Sequence, residues 1–171
     1  DVAQAGVDLG TLQADSNVIL TVVGNTSIVN DTALNLEGTV TGTLNAEATA
    51  GGITDSGALS VTGNATFNDA AQAGVTLDTL QADSNVILTA AGNTSIVNDT
   101  ALNLEGTVTG TLNAEATAGG ITDSGVLSVT GDATFNDVAQ AGVDLGALQA
   151  DSNVILTAAG NTSIVNDTAL N

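Results

Sequence analysis

The chain has 171 residues and a formal net charge of −19, all of it from Asp and Glu, with no Lys, Arg or His. It holds no Cys, Met, Pro, Trp or Tyr and only two Phe, Phe67 and Phe135. These zeros exclude thiol and imidazole nucleophiles, Cys/His metal cages, Schiff-base lysines, salt bridges between side chains, and the basic footprint that nucleic-acid binding needs.

High charge with few aromatics can mark disorder, but 43% of the residues are hydrophobic and Leu, Ile, Val and Phe make up 46 of them, more than disordered chains carry. The strong helix formers Lys, Arg and Met are missing and Gln and Glu are scarce, while Val, Ile and Thr favour strands. No apolar run approaches the ~18 residues of a membrane span. No signal peptide is visible and the chain begins in mid-pattern, which reads as a fragment or mature segment of something longer. Zero Cys fits an exported protein that uses no disulfides.

The segment QADSNVILT begins at Gln13, Gln81 and Gln149, a period of 68. Copies therefore span 1–68, 69–136 and, in part, 137–171; the first two differ only at positions 2, 8, 10, 22, 23, 58 and 64. In chain order, 20–28 alternates apolar and polar residues and runs into Val29-Asn30-Asp31. From 34 to 50 the even positions are apolar or Gly. The odd positions are Asn35, Glu37, Thr39, Thr41, Thr43, Asn45, Glu47 and Thr49. Period two means one buried and one solvated face. Seventeen residues in one strand would exceed ~50 Å, so this run must turn corners, expected near Gly38 and Gly42. Positions 59–69 repeat the first pattern: Leu-x-Val-x-Gly-Asn, then Phe in place of Ile, then Asn-Asp. In the second copy the strands parse into coils at 58–84, 85–107 and 108–125, about three per repeat.

Stacking such coils puts Leu, Val, Ile, Ala and Phe into one continuous core and Thr, Ser and Asn into outward ladders that hydrogen-bond between coils. The expected fold is all-β, a parallel β-helix (β-solenoid) forming one continuous segment over 1–171. Antiparallel sandwiches and barrels also show short alternating strands, but a closed barrel leaves no room to add near-identical units one after another. A solenoid needs caps, and neither end of the chain resembles one. The natural protein is thus expected to be longer or to stack end to end.

The segments GGITDSGALSVTGNATFND (51–69), GVTLDTLQADSNVILTAAGN (74–93) and GTVTGTLNAEATAGGITDSG (106–125) resemble repeats of filamentous-haemagglutinin-like bacterial surface proteins. The resemblance covers nearly the whole chain. It implies a right-handed parallel β-helix, a very long exported protein, and a role in adhesion or surface structure.

Carboxylates are the only groups available for catalysis, and glycoside hydrolysis needs two at defined spacing. Glu37 and Glu47, recurring as Glu105 and Glu115, are the candidate pairs. They read better as solvated outward positions, because a working site needs one irregular pocket and here every feature repeats. No enzyme activity is expected, and no catalytic, cofactor-binding or metal-ligating residue is nominated. Loosely held Ca2+ or other cations remain the one cofactor compatible with the composition. Asn30-Asp31, Asn68-Asp69, Asn98-Asp99, Asn136-Asp137 and Asn166-Asp167 lie at expected corners, and hard cations prefer such oxygens. Asn and Asp are also ordinary turn residues. Thr39, Thr41 and Thr43 form a Thr-x-Thr run of the kind that binds ice, though other coils do not repeat it. Asn-x-Ser/Thr sequons stand at Asn25, Asn30, Asn64, Asn93, Asn98, Asn161 and Asn166.

The expected role is a structural segment of a long extracellular bacterial surface fibre or giant adhesin, acting as a rigid polyanionic spacer at the cell surface. A self-assembling filament or sheath subunit, and a calcium- or glycan-binding surface module, are the alternatives. Partners are expected to be other copies, end to end or side by side, and counterions, with no nucleic acid and no membrane insertion. Three coils per repeat at ~4.8 Å would give about 36 Å for this chain and about one charge per 2 Å, near the ~1.7 Å of duplex DNA.

Overall fold

A computed structural model describes residues 6–170. Among them the chain forms strands and corners only, with no helix. The first copy supplies β1 (Val7–Leu12), β2 (Asn17–Val22), β3 (Thr26–Asn30), β4 (Leu34–Val40), β5 (Leu44–Ala48), β6 (Ile53–Val61) and β7 (Ala65–Asp69). The second supplies β8 (Val75–Ala82), β9 (Asn85–Ala90), β10 (Thr94–Asn98), β11 (Leu102–Val108), β12 (Leu112–Ala116), β13 (Ile121–Val129) and β14 (Ala133–Asp137). The partial copy adds β15 (Val143–Ala150), β16 (Val154–Ala158) and β17 (Thr162–Asn166). Odd-numbered strands make a nine-stranded sheet in the order β1-β3-β5-β7-β9-β11-β13-β15-β17, and even-numbered strands make an eight-stranded sheet in the order β2 to β16. Every pairing is parallel, as in Ala65↔Val86 and Leu112↔Ala133. The chain is a parallel β-solenoid of about eight turns, each of about 19 residues.

Seven strands per copy make three and a half turns, not about three. The coils drawn at 58–84, 85–107 and 108–125 therefore do not match the turns. Long outward segments such as β6 run straight through a bulge instead of turning. The odd number also means that each strand and its equivalent in the next copy lie in opposite sheets: β1 in the nine-stranded sheet, β8 in the eight-stranded one, β15 back in the first. Successive copies are related by a half-turn and an advance of about 17 Å at ~4.8 Å per turn.

Alternating strand lengths make this closure work. The five-residue strands β3, β5 and β7 are each followed, in the opposite sheet, by the longer β4, β6 and β8 of seven, nine and eight residues. Short and long strands face each other, so each turn keeps a similar perimeter. The ladder extends through the corners: the Leu34 N–H donates to the Gly52 carbonyl at 2.9 Å and the Thr41 N–H to the Val22 carbonyl at 3.0 Å.

Inward positions form one dry core. Leu34, Leu36, Val40, Leu44, Ala46 and Ala48 are buried while Thr39, Thr41, Thr43, Asn45 and Thr49 are exposed, as period two requires. Phe67 sits between Ala46 and Leu88, and Phe135 between Ala114 and Leu156, so one small neighbour gives each ring its space. Gly42 lies at a corner as expected, but Gly38 lies inside β4, where the register to β6 shifts between Leu36 and Gly38. Its φ of +112° suits glycine, and a Cβ there would stand 2.0 Å from the Leu20 carbonyl oxygen.

Leu59 is fully buried between Gly38 and Leu80. Leu59→Asp would bury a charge with no cation anywhere in the chain to pair it, and a destabilisation of ~3 kcal/mol or more is expected. Thermal melting followed by circular dichroism checks this; an unchanged midpoint would contradict the inward assignment.

Candidate functional site

Two kinds of surface carry the polar chemistry: the corners, and the outward faces of the sheets. At the corners the Asn-Asp dipeptides separate into two structural types. Asn30, Asn98 and Asn166 end β3, β10 and β17 with the amide turned inward. The Asn98 Oδ1 accepts the Ala82 N–H at 2.8 Å, and its Nδ2 donates to the Ala82 carbonyl, the Thr100 hydroxyl and the Ala101 carbonyl at 2.9–3.1 Å. Asn30 makes the same set with Ala14, Thr32 and Ala33. These amides join each corner to the corner one turn away and satisfy backbone groups that the core would otherwise strand.

In Asn68-Asp69 and Asn136-Asp137 it is the second residue that turns inward. Asp69 is 1% exposed, its Oδ2 accepting the Gly74 N–H at 2.7 Å and its Oδ1 the Ala71 N–H at 3.2 Å. Asp137 likewise takes the Gly142 N–H at 2.6 Å. Asp69 is thus the counterpart of Asn30, not of Asp31. The signal was present: TSIVN (26–30) and ATFND (65–69) align strand on strand, whereas matching the dipeptides shifts the frame by one. Alanines make room for both types, as in the column Asn98–Ala116–Asp137–Ala158.

The corner side chains are therefore committed to the backbone. Among the described residues no group of three or more carboxylates is placed to hold a metal ion. Of the sequons, Asn30 and Asn98 are buried. Asn25 and Asn93 are exposed but accept the Thr43 and Thr111 N–H at 3.0 Å. Asn64 accepts the Ser84 hydroxyl at 2.7 Å, Asn161 is exposed, and Asn166 donates to the Ala150 carbonyl at 3.2 Å.

On the outward faces, Glu37 lies on β4 and Glu47 on β5, in opposite sheets; Glu105 on β11 and Glu115 on β12 are divided in the same way. The half-perimeter between them prevents either pair from acting on one bond. Glu37 and Glu115 have neutral partners instead: the Ser56 hydroxyl donates to Glu37 at 3.1 Å and the Asn136 amide to Glu115 at 2.7 Å. Thr39 is on β4, whereas Thr41 and Thr43 turn the corner toward β5, so the run does not form a flat array. Asparagine ladders do form, Asn35 to Asn17 and Asn103 to Asn85, both at 2.8 Å.

One device has no local sequence signal. The Asp55 carboxylate on β6 clamps the bulge of β8, accepting the Asp78 N–H at 3.0 Å and the Thr79 N–H at 2.8 Å. Asp123 repeats this with the Gly146 and Ala147 N–H groups at 2.9 and 2.8 Å. The clamp uses backbone donors, so it survives the change of side chains between copies. The partners are distant along the chain, and only the stacking of turns brings them together.

These features define a tandem-repeat β-solenoid whose polar groups serve its own corners and ladders. A family model for repeats of unknown function (DUF5649) matches residues 23–91 and 91–169, and the chain belongs to that family. No curated protein and no solved structure matches it.

Asn98→Ala would leave the Ala82 N–H buried without its partner, while the Ala82 carbonyl keeps only the Thr100 hydroxyl at 2.8 Å, and a loss of ~1–3 kcal/mol is expected. Hydrogen exchange should show the loss of protection centred on 82 and 98–101; uniform protection equal to the parent's would refute the corner role.

Acid should act unusually on this chain. Hydrogen bonds from the Ser152 hydroxyl and then the Asn153 N–H hold the Asp132 carboxyl below the usual range. A lowered folded value stabilises above the unfolded pKa, and that contribution fades as pH falls through the lowered value. Against this, protonation relieves the repulsion among 19 carboxylates, and with no Lys, Arg or His the side chains cannot acquire the positive charge that drives acid unfolding. At pH 2 the strand signal in circular dichroism should persist while turbidity rises. A cooperative loss of that signal would contradict this balance.

Proposed function

We propose that this chain is a structural segment of a long extracellular surface fibre, a rigid polyanionic spacer of the kind used by filamentous-haemagglutinin-like bacterial adhesins. The observation that carries the reading is the seamless joining of copies: β7 pairs with β9 and β6 with β8 across the boundary between the first two, without interrupting either sheet. Length then grows in proportion to copy number, by about 17 Å per copy. The eight carboxylates of residues 69–136 give about one charge per 2 Å, close to the ~1.7 Å of duplex DNA. Such a rod retains a counterion atmosphere and repels anionic polymers and membranes.

A second reading, a filament or sheath subunit that packs side by side, is favoured by the half-turn between copies. Equivalent strands of successive copies alternate between the sheets, so both broad faces offer a similar surface. The mass of the intact natural protein separates the two: one very long chain supports the spacer, uniform short subunits the assembly.

Proteins of two, four and eight copies should increase in length by about 17 Å per copy in solution scattering. Magnesium at millimolar levels should bundle them where equal ionic strength of sodium does not. Compact particles, or association indifferent to both salts, would refute the spacer.

A further inference from the structure

One surface feature recurs with the repeat yet varies between copies. The eight-residue β8 carries a bulge that overhangs the five-residue strands β10 and β12. The step leaves a groove of about 340 Å3. Its floor is Val97 over the buried Leu80, its rim is Asp99, Gln81 and Thr117, and its lip is Asp78, Thr79 and Ala58. The same groove reappears in the preceding copy, with Leu12 and Val29 below Gln13 and Asp31, and in the following one, with Leu148 and Val165 below Gln149 and Asp167. The half-turn between copies places successive grooves on opposite faces about 17 Å apart, and grooves on one face about 34 Å apart.

Three observations give the groove a ligand class. First, Val97 is an outward apolar position opposite Glu115 on β12, and the exposed Ala58 lines the same groove, so an apolar strip lies inside an acidic rim. Second, the rim carboxylate has only neutral neighbours: in the first copy the Gln13 amide donates to Asp31 at 2.8 Å, and no cationic side chain exists in the chain to neutralise it. Third, several of the few differences between copies fall at this bulge. The ledge reads Gly10-Thr11, Asp78-Thr79 and Gly146-Ala147, and Ala58 becomes Val126, which is 51% exposed. Floor and rim (Leu, Gln, Val, Asp) stay constant while the lip changes.

We propose that this groove docks an extended basic peptide segment of a partner protein, one site per copy. The aliphatic stem of a Lys or Arg lies on the outward Val of the floor and its cationic head reaches the rim Asp. Such side chains carry both an apolar stem and a charge, and charge complementarity excludes an acidic occupant, a second copy of this chain included. Sites on both faces let one rod collect several basic segments and bind them with avidity. The lip residues tune which basic segment each copy prefers.

The test uses the 171-residue chain and an acetylated, amidated Lys-Ala-Lys-Ala-Lys peptide, by fluorescence polarisation at near-physiological salt. Two triple variants remove the same charge from different places: D31N/D99N/D167N from the rims, and D15N/D83N/D151N from exposed corners outside the grooves. The rim triple should bind about tenfold more weakly than the corner triple, because a positioned charge pair outweighs diffuse attraction. V29T/V97T/V165T, which leaves the net charge unchanged, should also weaken binding, and amide shifts in the parent should concentrate at the three grooves, 10–13 with 29–31, 78–81 with 97–99, and 146–149 with 165–167. Equal weakening in the two Asn triples, or shifts spread along the strands outside the three grooves, would overturn the proposal in favour of diffuse polyelectrolyte attraction. So would no binding by the parent. Self-association of the parent that the rim triple abolishes would overturn it in favour of a second copy as occupant.

Discussion

Every feature of this molecule depends on one constraint: each turn must close at nearly the same perimeter as the turn beneath it, or the parallel ladder breaks. A parallel strand draws its hydrogen bonds from both neighbours, so a turn that is too long must bulge and one that is too short must leave groups unpaired. The chain meets the constraint by facing five-residue strands with strands of seven to nine residues and by sending the excess outward at bulges such as that of β6 against Glu37. With seven strands per copy, the five-residue strands fall in one sheet in the first copy and in the other sheet in the second, and the two sheets become equivalent.

The corners show how buried polarity sustains that closure. Asn30, Asn98, Asp69 and Asp137 are among the few buried polar side chains of the described residues, and each is used to satisfy backbone groups where the ladder bends. An amide serves where both a donor and an acceptor are needed; a carboxylate serves where the corner offers only N–H groups, as at Ala71 and Gly74. Asp69 therefore has both carboxylate oxygens on N–H groups without a cation, which is consistent with a chain that contains none.

The charge then belongs to the outside. With no internal salt bridge to form, the acidic groups contribute hydrogen bonds to neutral partners, clamps such as that of Asp55 on β8, and a field along the rod. The ledge above Val97 collects several of the copy-to-copy differences, while columns such as those of Leu59 and Ala46 keep their residues. Packing explains that constancy, since a change in size propagates to the residues stacked above and below. The ledge lies outside those columns and is free to vary.

The sequence by itself determined the all-β class, the repeating copy, the inward and outward assignment of nearly every residue from 34 to 49, and the polyanionic surface. These are local or periodic properties: alternation is set by the pleat and charge by composition, and neither needs a partner strand to be known. Only the tertiary structure decided that a copy makes three and a half turns, that Gly38 lies at a register shift within β4 and not at a corner, that Glu37 and Glu47 lie on opposite faces, and that Asp55 clamps the bulge of β8. Each of these depends on which residues stack on which in the neighbouring turn, a register fixed jointly by every turn's perimeter. That register is invisible to any single stretch of chain.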